Sequence, residues 1–217
     1  MIPVRRILAV MAAGLLLAAC SHGVRLSDTD RATLRSQPAI HVLHYETAPP
    51  AVKAYGEEPL PAAAELRRLS GADPAALVAA SLSRTLGRKN RLTNLKLEPH
   101  HLPRPVAKSA LDHKPKYRHG LALELWLDTW SFEPVAGNPS QVGMRLDGRA
   151  RLSRLDDGRV LWSSGQCRVG GAQNRDYRLT VANLRNAVKL RKVLNEARSE
   201  CARQLARDFD SPPDGKG

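Results

Sequence analysis

Three cysteines, seven histidines and a surplus of arginine and lysine are the chemically capable residues of this 217-residue chain. Cys167 and Cys201 form no CxxC pair and have no histidine at short spacing, which argues against a catalytic dithiol or a zinc site there. Four histidines, His100, His101, His113 and His119, fall in one basic, proline-rich stretch. Imidazoles can bind zinc or copper, or charge in mild acid. With only Glu98 and Asp112 nearby and no compact spacing, these read as solvated loop histidines, and no metal or other cofactor is expected. Residues 84–118 carry ten bases against those two acids. Such a run attracts polyanions; the plainer alternative is a solvated face. Within it, Arg104, Lys108, Lys114, Lys116 and Arg118 are the candidate anion-binding residues. Arg145, Arg149 and Arg151 share one strand face and form a second small patch with the same alternative. Hydrolytic chemistry has no foothold. There is no GxSxG elbow, HExxH pair, paired carboxylate frame or Gly-rich phosphate loop, and Ser163-Ser164-Gly165 has no neighbouring base. No enzyme is expected.

The first twenty residues read MIPVRRILAVMAAGLLLAAC. Arg5 and Arg6 precede an apolar run, Ile7 to Leu17, broken only by Gly14. The run is too short for a stable membrane-spanning helix, which needs about 20 residues. It suits a signal peptide. With Leu17-Ala18-Ala19-Cys20 at its end, the segment resembles a bacterial lipoprotein signal and its lipobox. The resemblance implies a diacylglyceryl thioether on Cys20, cleavage before it, acylation of the new amine, and a membrane partner held through that anchor. Each buried methylene contributes about 0.8 kcal/mol, so three chains hold the protein permanently. By the sorting rule of such lipoproteins, Ser21 rather than Asp after the cysteine implies the outer membrane, facing the periplasm.

An exported chain matures in an oxidising compartment, where the two remaining thiols tend to pair. Cys167 ends a strand-like run, and Cys201 lies on the apolar side of the last helix. A Cys167–Cys201 bridge would close a loop of about 34 residues, worth roughly 3–4 kcal/mol. Loss of residues 1–19 removes two arginines and no acid from a chain of net charge +13, so the mature protein stays strongly basic. In cytosol that would suggest nucleic acid. An exported lipoprotein meets phospholipid headgroups, lipopolysaccharide phosphates and peptidoglycan carboxylates instead, and no nucleic-acid partner is expected.

The elements follow from periodicity. A content of 42% hydrophobic and 25% charged residues is that of a globular domain, and 4% aromatics demand an aliphatic core. Residues 20–38 read as a lipidated N-terminus and tether, 39–209 as one domain, and 210–217 as a disordered tail. Ile40 to Tyr45 is a first strand, and the prolines of 47–63 make a loop. Asp73-Pro74 starts a helix that stops near Gly87. Leu92 to Leu97 is a short strand, and 98–119 is irregular. Leu121, Leu123, Leu125 and Leu127 share one face of a central strand. Trp126, Trp130 and Phe132 fall on the other face by parity, with a bulge expected near Asp128. Val142 to Leu152 alternates as a half-buried antiparallel strand, Asp156-Asp157-Gly158 turns, and a return strand runs from Val160 to Val169. From Thr180 the spacing is helical. Leu184, Val188, Leu194, Ala197, Cys201 and Leu205 make one stripe, and a kink is expected near Asn186.

The expected fold is α+β: a two-layer domain with a mostly antiparallel sheet of about four to five strands and two main helices on one face. Over residues 38–209 that element order resembles small periplasmic lipoprotein domains such as those of curli-secretion and penicillin-binding-protein-activator lipoproteins. The expected role is a non-catalytic, membrane-anchored accessory or assembly factor that binds a protein partner or an anionic envelope polymer. A lipoprotein carrying lipid or another hydrophobic ligand is the alternative, with Trp126, Trp130 and Phe132 as its one hint.

Overall fold

The structure, a computed structural model, describes residues 23–53, 60–99, 117 and 119–212. Its centre is a pair of long antiparallel strands, β4 (Leu121–Val135) and β5 (Asn138–Arg154), joined by a turn at Gly137. On the far side of β4 lie β1 (Ile40–His44) and the two-residue β2 (Ala51–Val52), both parallel to it, and β1 is flanked by the parallel β3 (Leu95–Leu97). The other side of β5 pairs in succession with β6 (Val160–Ser163), β7 (Cys167–Gly170) and β8 (Arg178–Thr180), all antiparallel. The sheet therefore has eight strands and is mixed. The expected four to five mostly antiparallel strands undercount it, for two reasons. The expected return strand breaks at Ser164–Gln166 into β6 and β7. Fragments as short as β2 and β8 carry too few residues to show a period.

Helices cover one face. The α1 turn (Asp28–Thr33) and α2 (Ala63–Ser70) are short; α3 (Pro74–Asn90) and α5 (Ala187–Asp210) are the two main helices, with α4 (Val181–Leu184) just before α5. Asp73 caps α3, its carboxylate accepting from the Ala75 N–H, and Pro74 fills the first turn where no N–H is needed. The helix ends at Arg91, whose φ of 54° is left-handed and lets its N–H reach the Gly87 carbonyl. Asn186 caps α5, accepting from the N–H groups of Val188 and Lys189. The expected kink is a full break there. It resets the helical phase, so Leu190 and Val193 join the buried stripe while Val188 stands 77% exposed.

The core lies between this helical layer and the sheet, and it is aliphatic with Trp130, Phe132, Trp162 and Phe209 among its members. The bulge between Leu127 and Thr129 carries the unpaired Asp128 and reverses the parity of β4. Trp130 and Phe132 therefore turn to the helix side with Leu121, Leu123, Leu125 and Leu127. Trp126 alone stays on the opposite face, which corrects the expected three-aromatic cluster. The described part of the expected tether is also folded. Leu26 and Leu34 are buried in the core, Ser163 donates to the Val24 carbonyl at 2.8 Å, and Arg31 donates to the carbonyls of Phe209 and Ser211. Among the described residues, no helix is long and apolar enough to cross a membrane.

Candidate functional site

The structure joins Cys167 and Cys201 in a disulfide, with Cα atoms 5.2 Å apart. Packing of α5 across β5 and β7 brings them together, and both are buried. Cys20, Arg104, Lys108, Lys114, Lys116, Arg118, His100, His101 and His113 lie outside the described residues. His119, which is exposed, sits 3.4 Å from an Asp156 carboxylate oxygen. No group of three or more potential metal ligands occurs among the described residues.

The sheet face away from the helices holds the second arginine patch, and there each arginine meets an acid. Arg145 pairs with Asp147 at 2.7 Å, Arg149 with Asp128 at 3.0 Å, and Arg151 with Glu124 at 2.9 Å. Period-two alternation put the arginines on one face; antiparallel pairing with β4 supplied two of the three carboxylates from across the strand. The row is thus internally neutralised rather than open to a foreign anion. Glu124, 0% exposed, also accepts from the Tyr45 hydroxyl at 2.6 Å, and the Arg151 guanidinium lies 5.9 Å from the Trp126 ring centre. The hydrogen-bonded lid of this face continues at β1. His41 meets Glu98 at 2.9 Å and the Tyr117 ring at 4.4 Å between centres. Glu98 and Tyr117 both belong to the basic stretch, and each contacts His41 of β1.

A different surface is open. Along the outer side of α5 runs a shallow groove of about 830 Å³, lined among others by Tyr177, Val188, Arg191, Lys192, Asn195 and Arg203. Asp176 and Glu196 also border it, so its charge is mixed with a basic excess. Arg191 is positioned by donating from Nε to the Leu69 carbonyl at 2.9 Å. Burial pushes the Tyr177 hydroxyl above its ordinary pKa, and the carboxylates of Glu200, Asp176 and Glu196 push the same way against Arg203. Tyr177 is thus a neutral donor at any physiological pH. An apolar Val188, an aromatic ring and ordered cations can together grip an extended polar chain or a protein surface. Sequence reasoning missed this groove because it placed Val188 in the buried stripe. The Asn186 cap is the signal that would have moved it.

No family model and no curated protein matches the chain. Solved structures give distant likenesses. PelC from Paraburkholderia phytofirmans, solved as a dodecamer, is 14% identical with a TM-score of 0.34, over 83% of this chain and 95% of that one. Protein XCC0632 from Xanthomonas campestris is 12% identical with a TM-score of 0.32, over 76% and 84%. Lipoprotein GNA1162 from Neisseria meningitidis is 14% identical with a TM-score of 0.32, over 69% and 94%. Similarity at this level assigns no function.

Proposed function

We propose that the chain is a non-catalytic lipoprotein of the bacterial envelope, anchored through Cys20 on the periplasmic side of the outer membrane. It acts as an accessory or assembly factor for a protein partner or an anionic envelope polymer. The observation that carries the reading is the buried Cys167–Cys201 disulfide. Such bonds persist in oxidising compartments and are rare where thiols are kept reduced. A chain built to hold one is a chain built for export, and Leu17-Ala18-Ala19-Cys20 is the segment that would direct it. The basic stretch with Arg104, Lys108, Lys114, Lys116 and Arg118 is the proposed anion-binding element. The α5 groove is the proposed seat of a chain-like or protein ligand, since its lining mixes cations with Tyr177 and exposed Val188.

Labelled palmitate tests the anchor. Wild type should incorporate label and fractionate with membrane, and Cys20→Ser should do neither; label retained by the variant overturns the lipoprotein reading. Cosedimentation with sacculi at low and high salt tests the anion role. Binding should weaken as ionic strength rises, because exposed charges are screened beyond about 8–10 Å. It should also weaken in Lys114→Gln, Lys116→Gln, Arg118→Gln protein; equal binding by both proteins removes the basic stretch from the site.

A further inference from the structure

The first described residues say which side of the domain meets the bilayer. Gly23 lies flush on β6: a Cβ there would stand 2.1 Å from the Ser163 carbonyl oxygen. The Val24 N–H donates to the Ser163 hydroxyl at 2.7 Å, and Arg25 pairs with Asp208 near the end of α5. Only Ser21 and His22 separate Cys20 from this docked segment. Three Cα steps of 3.8 Å span at most about 11 Å. The headgroup layer of one leaflet is itself roughly 5–8 Å thick. A thioether-linked glycerol at Cys20 therefore leaves no room for a gap between the lipid and the β6–β7 side of the domain.

That side is chemically suited to an anionic surface. Gly165, after the end of β6, donates to the Asp208 carboxylate at 2.9 Å, and the Arg168 N–H donates to the Gln204 side chain at 2.9 Å. The β6–β7 junction and the C-terminal half of α5 thus form one continuous patch. It exposes Arg168, Arg203 and Arg207, with Glu200 the acid that pairs with Arg203 at 2.7 Å and Arg207 at 3.4 Å. With Arg25 the patch holds four arginines against Glu200 and Asp208, and Val24, 46% exposed, lies where the chain arrives. We infer that this patch rests on the phospholipid headgroups, with Arg168, Arg203 and Arg207 against lipid phosphates. The inference depends on the proposed lipidation of Cys20. It makes the lipid surface a second, noncovalent partner and, because Arg203 also lines the α5 groove, sets one end of that groove at the edge of the membrane contact. The β4–β5 hairpin tip at Gly137 is not part of the contact. It lies roughly 40 Å along β5 from Ala150, at about 3.3 Å per residue, and Ala150 is the residue that bonds the Ser164 hydroxyl.

The test uses full-length lipidated protein in vesicles of phosphatidylethanolamine and phosphatidylglycerol that contain a lipid with a photoactivatable headgroup. Intact mass first reports acylation of Cys20. Adducts mapped by mass spectrometry should fall on peptides holding Ser163–Arg168 and Arg203–Ser211, several-fold above those holding Gly137. A flexible twenty-residue insertion after His22, which extends the reach by roughly 25 Å, should reduce the bias. Combining it with Arg168→Gln, Arg203→Gln and Arg207→Gln should abolish it. Acylated protein whose adducts are uniform or centred on the hairpin overturns the orientation and leaves the lipoprotein reading standing. Protein without an acyl chain overturns both.

Discussion

Reducing the Cys167–Cys201 bond should lower the melting temperature without unfolding the domain at room temperature. The two cysteines are 34 residues apart. Freeing a loop of that length returns about 4 kcal/mol of chain entropy to the unfolded state at 25 °C. For a domain near 200 residues, 1 kcal/mol shifts the midpoint by about 2–4 °C, so the fall should be roughly 8–15 °C. Both sulfur atoms are buried between α5 and β7, and reduction removes no heavy atom from that contact. Reduced wild type therefore isolates the cross-link, with no cavity made. The Cys167→Ala, Cys201→Ala double variant loses the same term plus the packing of two sulfur atoms and should melt lower still. Calorimetry on oxidised, reduced and doubly substituted protein measures this, with thiols counted after unfolding to prove the redox state. A reduced protein with two titratable thiols that melts within about 3 °C of the oxidised form, far below the expected shift, would refute the argument. The chain between β7 and α5 would then already be restricted without the bond.

Other outcomes follow from single carboxylates. Burial pushes the Asp73 carboxyl up, but hydrogen bonds from the Thr47 hydroxyl and N–H and the Ala75 N–H, with the Arg67 guanidinium beside it, outweigh this and hold it below the ordinary value. Its stabilisation is therefore present above the unfolded pKa near 4 and lost as pH falls through the lower folded value. Asp73→Ala should cost about 1–2 kcal/mol in urea denaturation at pH 7, and the gap to wild type should close in acid; a gap that widens below pH 4 contradicts the sign. Glu124→Ala leaves Arg151 facing a buried position without its carboxylate and should cost about 3 kcal/mol, read from the urea midpoint at unchanged slope. A loss below about 1 kcal/mol would mean solvent already screens that pair. Deleting Asp128 removes the unpaired residue and leaves Trp130 two positions after Leu127, so Trp130 and Phe132 stay on the core face. The variant should keep a cooperative melting transition, and loss of cooperativity would show that the bulge does more than set the parity of β4.

Much of the architecture was legible because it is local. Asp73-Pro74 marked the start of α3, the alternation of Val142 to Leu152 marked β5, and the hydrophobic spacing from Leu194 to Leu205 marked α5, since each signal is set by neighbours within one or two turns. The pairing of Cys167 with Cys201 could be expected from export and parity. Other features were hidden by distance along the chain. A two-residue strand such as Ala51–Val52 exists because β4 offers it hydrogen bonds, and no pattern of two residues announces that. Leu26 and Leu34 looked like part of a polar tether, since their burial depends on β6 and the end of α5, more than 120 residues away.

The sequence alone determined the elements carried by local rules: the helix caps, the long alternating strand and the aliphatic core. Tertiary structure decided which charges remain open to a partner. Arg145, Arg149 and Arg151 look like a patch when only their own strand is read, but pairing β5 with β4 sets Glu124 and Asp128 beside two of them. A one-residue bulge likewise decided which aromatics enter the core. Both outcomes arise from register between strands, and register is a nonlocal quantity: a single residue of shift inverts every side chain beyond it.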